Sequence, residues 1–287
     1  MLKSKFLCIF FASFSLVAQS QSISKRIQFA NYLVNKDFHE EGVFECKNIL
    51  KELKLNQIQK DSVFYLKGWA EYNLKHLKES SFSFQKVSFQ STFYPKSILF
   101  GSYNLIHLGK YENATQVLNN FRPQNKINQH FINYLFAGID LLQRDLPSFR
   151  KTVSLLPPDY YGFEKELKHL KILANRLETQ KEKSPVFAGI LSGIVPGSGQ
   201  IYSGKTGQGI AALLMSTGLA LVTIENYEKQ GPEKFKTIFF GSVFSVFYIG
   251  NIYGAVFSAK IANNERHALI NKQVLFDLHI PLRNVFD

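Results

Sequence analysis

The chain has 287 residues, of which 45% are hydrophobic, including 27 phenylalanines and 13 tyrosines. This is enough for one or two domains with buried cores, which excludes a disordered tail and a mini-protein. Lysine and arginine outnumber aspartate and glutamate by 34 to 22, for a formal charge of +12, and two cysteines exclude a disulfide scaffold.

The N-terminus has the layout of a secretory signal peptide. Two lysines precede an apolar stretch over residues 6–17, and small and polar residues follow it. This stretch is too short to cross a hydrocarbon core as a helix, for which about 20 residues are needed. We therefore predict a signal peptide over residues 1–20, with cleavage after Ser20 or, as second choice, after Ala18. Cys8 lies inside the apolar stretch, which argues against a lipoprotein.

Residues 21–160 show self-similarity at a fixed period, which is the test for stacked helical repeats. Leu77, Tyr111 and Leu146 each lie between two helical runs, at separations of 34 and 35 residues. A small residue precedes each of them at a constant offset, and a second small residue follows the first two. These small residues, which would let paired helices approach closely, are Gly68, Ser102, Ala137, Ser80 and Ala114.

This pattern resembles the tetratricopeptide repeat, a helix-turn-helix unit of 34 residues. The second unit departs from it with Lys67 and Glu71 at apolar places, and Phe149 replaces a small residue in the fourth. A degenerate first pair is expected from about Ile23 to Leu50 around Phe38. The resemblance implies a helical solenoid with a groove for a protein or peptide, and an irregular all-helical domain is the alternative. The third unit matches best, through Ile98, Ser102, Leu105, Gly109, Tyr111, Ala114 and Leu118.

A capping or stalk helix is predicted over residues 161–184. Pro157 and Pro158 end the last repeat helix, since proline lacks a backbone donor and disfavours helix before it. Apolar residues from Phe163 to Leu177 then recur at helical spacing. The basic surplus is spread evenly without a recognition motif, so we interpret it as a solvated surface and predict no nucleic-acid partner.

Residues 185–263 have the composition of a membrane domain. Residues 184–204, 206–224 and 237–259 contain no Asp, Glu, Lys or Arg. At ~1.5 Å per residue, the second and third windows can span or nearly span the hydrocarbon layer, so we predict two transmembrane helices. The first window is broken at residues 196–199, so its helix either half-inserts or forms a kinked span.

The break resembles the signature of small membrane domains, often called TM-two domains, in which a Gly-rich, Tyr-containing turn precedes a transmembrane hairpin. Pro196 would end a helix, the glycines permit positive φ and close approach, Tyr202 would anchor at the interface, and Lys205 would reach lipid phosphates. The resemblance implies membrane lipid as a partner and the bacterial envelope as the location. The matching residues are Pro196, Gly197, Gly199, Tyr202, Gly204, Lys205 and Gly209.

The same turn also satisfies the phosphate-binding pattern G-x-x-x-x-G-K-T with Gly199, Gly204, Lys205 and Thr206. That motif works only between a buried strand and a helix, with a second carboxylate that holds magnesium. Two apolar segments follow Thr206 instead, and a signal peptide would export the site away from cytoplasmic ATP. A membrane-associated P-loop nucleotide-binding protein is therefore the alternative function, and nucleotide binding that disappears in Lys205→Ala would identify it.

No other catalytic pattern is present. The seven histidines show no zinc-ligand spacing, and the paired acidic residues lack a neighbouring base. We predict no enzyme activity, no cofactor and no metal, and leave a small-molecule ligand open. In the tail, residues 264–287, the alternation of apolar residues from Val274 to Ile280 suggests a short strand or an interfacial segment.

Together these features predict an all-α protein, in which a tetratricopeptide-like solenoid is followed by a C-terminal transmembrane hairpin. We expect a non-enzymatic scaffold or adaptor in the bacterial inner membrane, with its repeats in the periplasm. The basic residues between Lys171 and Lys183 favour the opposite orientation, and we give the signal peptide more weight. A hairpin would return the tail to the exported side, whereas a third span would leave it in the cytoplasm.

Overall fold

The computed structural model describes residues 23–286 except Leu53 and Gln124. The predicted signal peptide, both of its cleavage positions and Cys8 lie outside these residues. Within the described part the chain forms thirteen helices and no strands, which confirms the all-α prediction. In chain order the helices are α1 (23–35), α2 (His39–Ile49), α3 (Gln57–Asn73), α4 (Leu77–Gln85), α5 (Tyr94–His107), α6 (Tyr111–Asn120), α7 (Lys126–Leu142), α8 (Leu146–Ser154), α9 (Glu164–Thr179), α10 (Pro185–Ile194), α11 (Ser198–Tyr202), α12 (Thr206–Gln230) and α13 (Phe235–Phe286).

The chain divides into two compact units. Unit 1 contains the chain up to Ile172 and again from Val274, and unit 2 is Leu173–Gln273. The boundaries fall inside α9 and α13. The end of the tail, from Val274, therefore belongs to the unit that contains the predicted repeats.

Unit 1 repeats one tight turn between the two helices of each pair. Two positions before each second helix, one residue adopts a left-handed conformation with φ between 63° and 71°. The next amide donates to the carbonyl five residues back, as His76 does to Glu71 at 2.9 Å, and this bond closes the first helix. The left-handed residues are Asp37, Lys75, Gly109 and Arg144.

The small residues of the repeat pattern lie where paired helices touch. A Cβ added to Gly68 on α3 would lie 2.7 Å from the ring of Phe84 on α4, so any larger residue at this position would displace the ring. Ser80 Oγ donates to the Gly68 carbonyl at 2.7 Å and accepts from Asn104 Nδ2 at 2.9 Å. The other small sites, Ser102, Ala114 and Ala137, are fully buried, and the hydrophobes Leu77, Tyr111 and Leu146 begin α4, α6 and α8.

The two charged residues at apolar repeat positions form a pair in which Glu71 is buried and Lys67 is partly buried. Lys67 Nζ lies 2.5 Å from Glu71 Oε1, and Ser83 Oγ of α4 donates to Glu71 Oε2 at 2.6 Å. Pairing and hydrogen bonding offset the cost of removing these charges from water. Nearby, burial raises the pKa of the Cys46 thiol to about 12.

The C-terminal end of the chain is helical, so the prediction of a short strand from Val274 is wrong. α13 continues to Phe286 and contains Pro281. Apolar residues at alternate positions suggest a strand, but Val274, Leu278 and Leu282, spaced by four, are fully buried, whereas Phe276 is 62% exposed. The period is that of a helix with one buried face.

Unit 2 contains α10, α11, α12 and the apolar part of α13. α12 and α13 are each long and apolar enough to cross a membrane, and only 11% of each apolar window is buried. α10 has 10 residues and ends at Ile194, two residues before Pro196. At ~1.5 Å per residue it reaches about half of a hydrocarbon layer.

Candidate functional site: a helix-binding face and an apolar hairpin

The end of α13 packs across four helices of unit 1. We name residues 274–285 the C-terminal segment. It contacts α3, α5, α7 and α9. The first three are the first helices of the pairs α3/α4, α5/α6 and α7/α8, and α9 follows the last pair. We name the contacted surface the first-helix face, defined by Tyr72 of α3, Tyr103 of α5, Tyr134 and Gly138 of α7, and His169 of α9.

Leu278 is the central apolar contact of the C-terminal segment. It is fully buried, and a Cβ added to Gly138 would overlap its side chain. The absent side chain at Gly138 therefore makes the space that Leu278 occupies. Burying a leucine side chain contributes about 2 kcal/mol.

Pro281 leaves a backbone acceptor in the C-terminal segment, and the face satisfies it. Proline has no N–H, so the Asp277 carbonyl, four residues earlier, lacks its helical donor. The Tyr134 hydroxyl donates to this carbonyl at 3.0 Å. Tyr134 is fully buried, and this burial raises the pKa of its phenol, so the hydroxyl keeps its proton. A buried carbonyl without this partner would cost about 1–3 kcal/mol.

Two further polar contacts fix the segment on the face. The Nδ1 atom of His169 lies 2.7 Å from Asp277 Oδ2, and burial raises the pKa of Asp277 while His169 opposes that rise. The His279 ring stacks on Tyr103 with centroids 5.3 Å apart, and its Nε2 contacts the Tyr72 hydroxyl. These contacts recognise a helix by shape and by hydrogen bonds. Within residues 23–286, apart from the two undescribed positions, no group of three His, Cys, Asp or Glu side chains is placed to hold a metal ion.

Three glycines of the signature that resembles TM-two domains, Gly197, Gly199 and Gly209, lie where the helices of unit 2 meet backbone to backbone. A Cβ added to Gly199 would overlap the Ala188 carbonyl and lie 2.7 Å from Ala255 Cβ. Gly197, at φ 88°, and Gly209 each face the other's backbone. Close approach through small residues is how membrane helices pack without a hydrophobic driving force.

Tyr202 and Lys205 lie among polar partners beside the apolar windows. The Tyr202 hydroxyl accepts from the Ser184 amide at 3.2 Å, and the Lys183 ammonium lies 4.7 Å from the Tyr202 ring centroid. Lys205 Nζ lies 2.9 Å from Glu265 Oε2. Pro196 follows the end of α10. The contact of Lys205 with lipid phosphates stays a prediction.

The residues of the phosphate-loop pattern contain a turn with the same backbone conformation and hydrogen bond as the turns of unit 1. Gly204 has φ 83°, the Lys205 amide donates to the Gln200 carbonyl at 2.8 Å, and Thr206 begins α12. The residues before this turn form α11 instead of the strand that a phosphate loop requires. Gly199 lies in α11, where it packs against Ala188, so the four pattern residues do not form one open loop.

A buried polar cluster in unit 2 was missed from the sequence. Gln200 Oε1 accepts from Ser192 Oγ at 2.9 Å, and Gln200 Nε2 donates to Asn251 Oδ1 at 2.8 Å. Gln200 and Asn251 also line a cavity of about 490 Å³ with Met215 and Phe247. Polar amides inside uncharged windows were the available signal, because such groups need internal partners.

Comparison with protein-family models, curated proteins and solved structures gives no match to this chain. Its function is therefore inferred from two features of its own, the occupied first-helix face and the exposed apolar hairpin.

Proposed function

We propose that this chain is a non-enzymatic, membrane-anchored scaffold or adaptor whose first-helix face binds a helical segment of a protein. The observation that carries the proposal is that this face already holds a helix, through side chains from α3, α5, α7 and α9. Helix-in-groove recognition uses anchors about one turn apart. Val274, Leu278 and Leu282 provide such anchors, and all three are fully buried.

Four equivalent turns support a tetratricopeptide-like solenoid over residues 21–160, with 161–184 as its cap. The left-handed residues recur after 38, 34 and 35 positions, at Asp37, Lys75, Gly109 and Arg144. Equal turns within successive helix pairs give similar units, and stacking of similar units is the basis of a regular superhelix. In that architecture the first-helix face is the extended surface offered to a partner.

The exposure of the apolar helices supports a membrane anchor. The core helix of a water-soluble protein buries its apolar residues, but the apolar windows of α12 and α13 are only 11% buried. Exposing so large an apolar surface to water is unfavourable by about 25 cal/mol per Å². Lipid hydrocarbon is the solvent that removes this cost, so we assign residues 206–224 and 237–259 to the bilayer.

The C-terminal segment limits the topology of this anchor. It packs against the helices that precede the membrane domain, so residues 23–172 and 274–285 lie on one side of the membrane. The chain must then cross the bilayer an even number of times between them. α12 and α13 supply two crossings, and α10, with 10 residues, half-inserts. With an exported N-terminus, both parts lie in the periplasm of a bacterial inner membrane.

Two experiments on the full chain test this function. Extraction with alkaline carbonate should leave the chain in the membrane pellet. A photo-crosslinking residue at His107, which is exposed and one turn beyond Tyr103, should give a discrete larger adduct in cells. The matched control is Glu112 on α6, a second helix, which should give none.

Each half of the proposal has its own contradicting result. Release of the chain by carbonate would remove the membrane anchor. Equal crosslinking from His107 and Glu112, or no adduct from His107, would remove the protein-binding role of the face.

A further inference from the structure

We propose that the C-terminal segment is a resident ligand that closes the first-helix face, and that a partner helix opens the face by presenting the same proline-centred element. This inference rests on the proposed scaffold function and identifies the kind of partner and the control of its access.

Three residues of the first-helix face each contact a specific feature of the C-terminal segment. Leu278 packs against Gly138, and His169 pairs with Asp277. The Tyr134 hydroxyl donates to the carbonyl that lacks a helical donor because of the proline. The last contact is the most specific one, because an uninterrupted helix has no unpaired carbonyl at that position. The fully buried Tyr134 hydroxyl is thus matched to a helix with an interior proline.

The segment and a partner cannot use these contacts together. Leu278 and Leu282 are fully buried and Asp277 is nearly so, which leaves no room for a second helix on Gly138 or Tyr134. A partner must therefore compete with a ligand of the same chain. The apparent affinity of the face for a partner is then its intrinsic affinity multiplied by the fraction of chains in which the segment has left the face.

The segment defines the chemistry of the partner. The required element lies in a helix and begins with an acidic residue followed directly by a leucine. A proline stands four positions after the acid, and a second leucine follows the proline, as in Asp277, Leu278, Pro281 and Leu282. Phe276 is 62% exposed and lies outside this element. A helix from another protein with this element would make the same contacts with Gly138, His169 and Tyr134.

The test uses the full chain in detergent and a fluorescent peptide of residues 268–287 carrying Phe276→Ala, which keeps the element and differs in mass. The chain with Leu278→Asp and Leu282→Asp, which releases the segment, should bind this peptide at least about tenfold more tightly than the unaltered chain. The matched control chain, Phe276→Asp, should bind like the unaltered chain, since that side chain faces outward.

A second measurement needs no altered chain. Hydrogen exchange of the amides in residues 274–285 should rise when excess peptide is added to the unaltered chain, because displaced amides become solvated. Tight peptide binding to all three chains, or no rise in exchange under saturating peptide, would overturn the proposal. A dimeric chain that becomes monomeric with Leu278→Asp would also overturn it, in favour of exchange between two copies.

A double-mutant cycle isolates the proline contact. In the released chain, Tyr134→Phe should weaken the Pro281 peptide about tenfold, because the Asp277 carbonyl loses its donor. A peptide with Pro281→Ala restores a helical amide to that carbonyl, so Tyr134→Phe should change its binding less than about twofold. Equal effects on both peptides would contradict the assigned role of Tyr134.

These results separate the inference from the proposed function. Peptide binding that is indifferent to release, together with a His107 adduct in cells, rejects the resident ligand and keeps the scaffold. Displacement by the peptide without any His107 adduct keeps the resident ligand and rejects the partner-binding role.

Discussion

The turn at Gly109 and Lys110 in unit 1 and the turn at Gly204 and Lys205 in unit 2 have nearly the same backbone. The glycines have φ 71° and 83°, and the lysines have φ −90° and −96°. The helices beside them differ, because Ser97–Ile106 of α5 is buried throughout, whereas only Gly209 and Ser216 of α12 are buried. The same short turn therefore joins helices in both units, although α5 of unit 1 is mostly buried and the apolar helix α12 of unit 2 is mostly exposed.

The glycines of the two units also face different obstacles. Gly68 in unit 1 meets the ring of Phe84, which a rotation can move, whereas Gly199 in unit 2 meets the backbone of Ala188, which cannot move alone. Replacement of Gly199 by alanine should therefore cost more than replacement of Gly68.

The largest effect is expected for Gly199→Ala. The new Cβ overlaps the Ala188 carbonyl and Ala255, so α11 must separate from α10 and α13. We expect a loss of about 3 kcal/mol in the free energy of unfolding, measured by thermal unfolding in detergent. The control is Gly218→Ala, which meets no atom within 4 Å and should be neutral or gain up to about 1 kcal/mol. Equal losses at both positions would contradict backbone contact as the reason for glycine.

Gly68→Ala should have a smaller effect, because the Phe84 ring can shift away from the new Cβ. We expect a loss of about 2 kcal/mol in unfolding free energy, measured by denaturant titration followed by circular dichroism. The comparison is Gly101→Ala, which should cost less than Gly68→Ala because its new Cβ would lie 3.3 Å from Phe84 Cβ, a smaller overlap. A cost at Gly68 above that at Gly199 would reverse the comparison.

Tyr134→Phe tests the contact between the first-helix face and the C-terminal segment. Removing the hydroxyl leaves the Asp277 carbonyl without its donor, so the free energy of unfolding should fall by about 1 kcal/mol. The control is Tyr161→Phe, whose side chain is 83% exposed and should change stability little. Indistinguishable unfolding curves for the two variants would show that the Tyr134 bond is not formed.

The smallest effect is expected for Lys205→Ala. Its ion pair with Glu265 is partly exposed, so its loss should cost less than about 1 kcal/mol. Because the lysine occupies a helical-hairpin turn, neither the unaltered chain nor the variant should bind a fluorescent ATP analogue. Binding by the unaltered chain that Lys205→Ala abolishes would instead establish the P-loop alternative.

The helix pairs and the apolar windows could be predicted because their signals are local. Gly68, Ser80 and Ser102 recur with the helix pairs, and the apolar windows are defined by composition. The all-α class follows from these patterns, since the helix pairs have the helical period and the apolar windows have the length of membrane-spanning helices. The P-loop pattern shows the limit of such reasoning, because the same residues also fit a closely packed short helix, α11, followed by a hairpin turn at Gly204.

The first-helix face could not be predicted because it joins residues far apart in sequence. Tyr134 and Asp277 are 143 positions apart, and His279 and Tyr72 are 207 apart. The alternation of Val274, Phe276, Leu278 and Ile280 suggests a short strand or an interfacial segment, and only burial shows which of these residues face the core. Pro281 was the one available signal, since a proline inside a helix needs a donor from elsewhere for the freed carbonyl.

The most direct test of the central claim is the side of the membrane reached by two reporter fusions, one after Gln180 and one after Asp287. If the C-terminal segment rests on the first-helix face and only α12 and α13 cross the bilayer, both reporters should be active on the exported side. Reporters on opposite sides would mean an odd number of crossings, and the segment could not then reach the face.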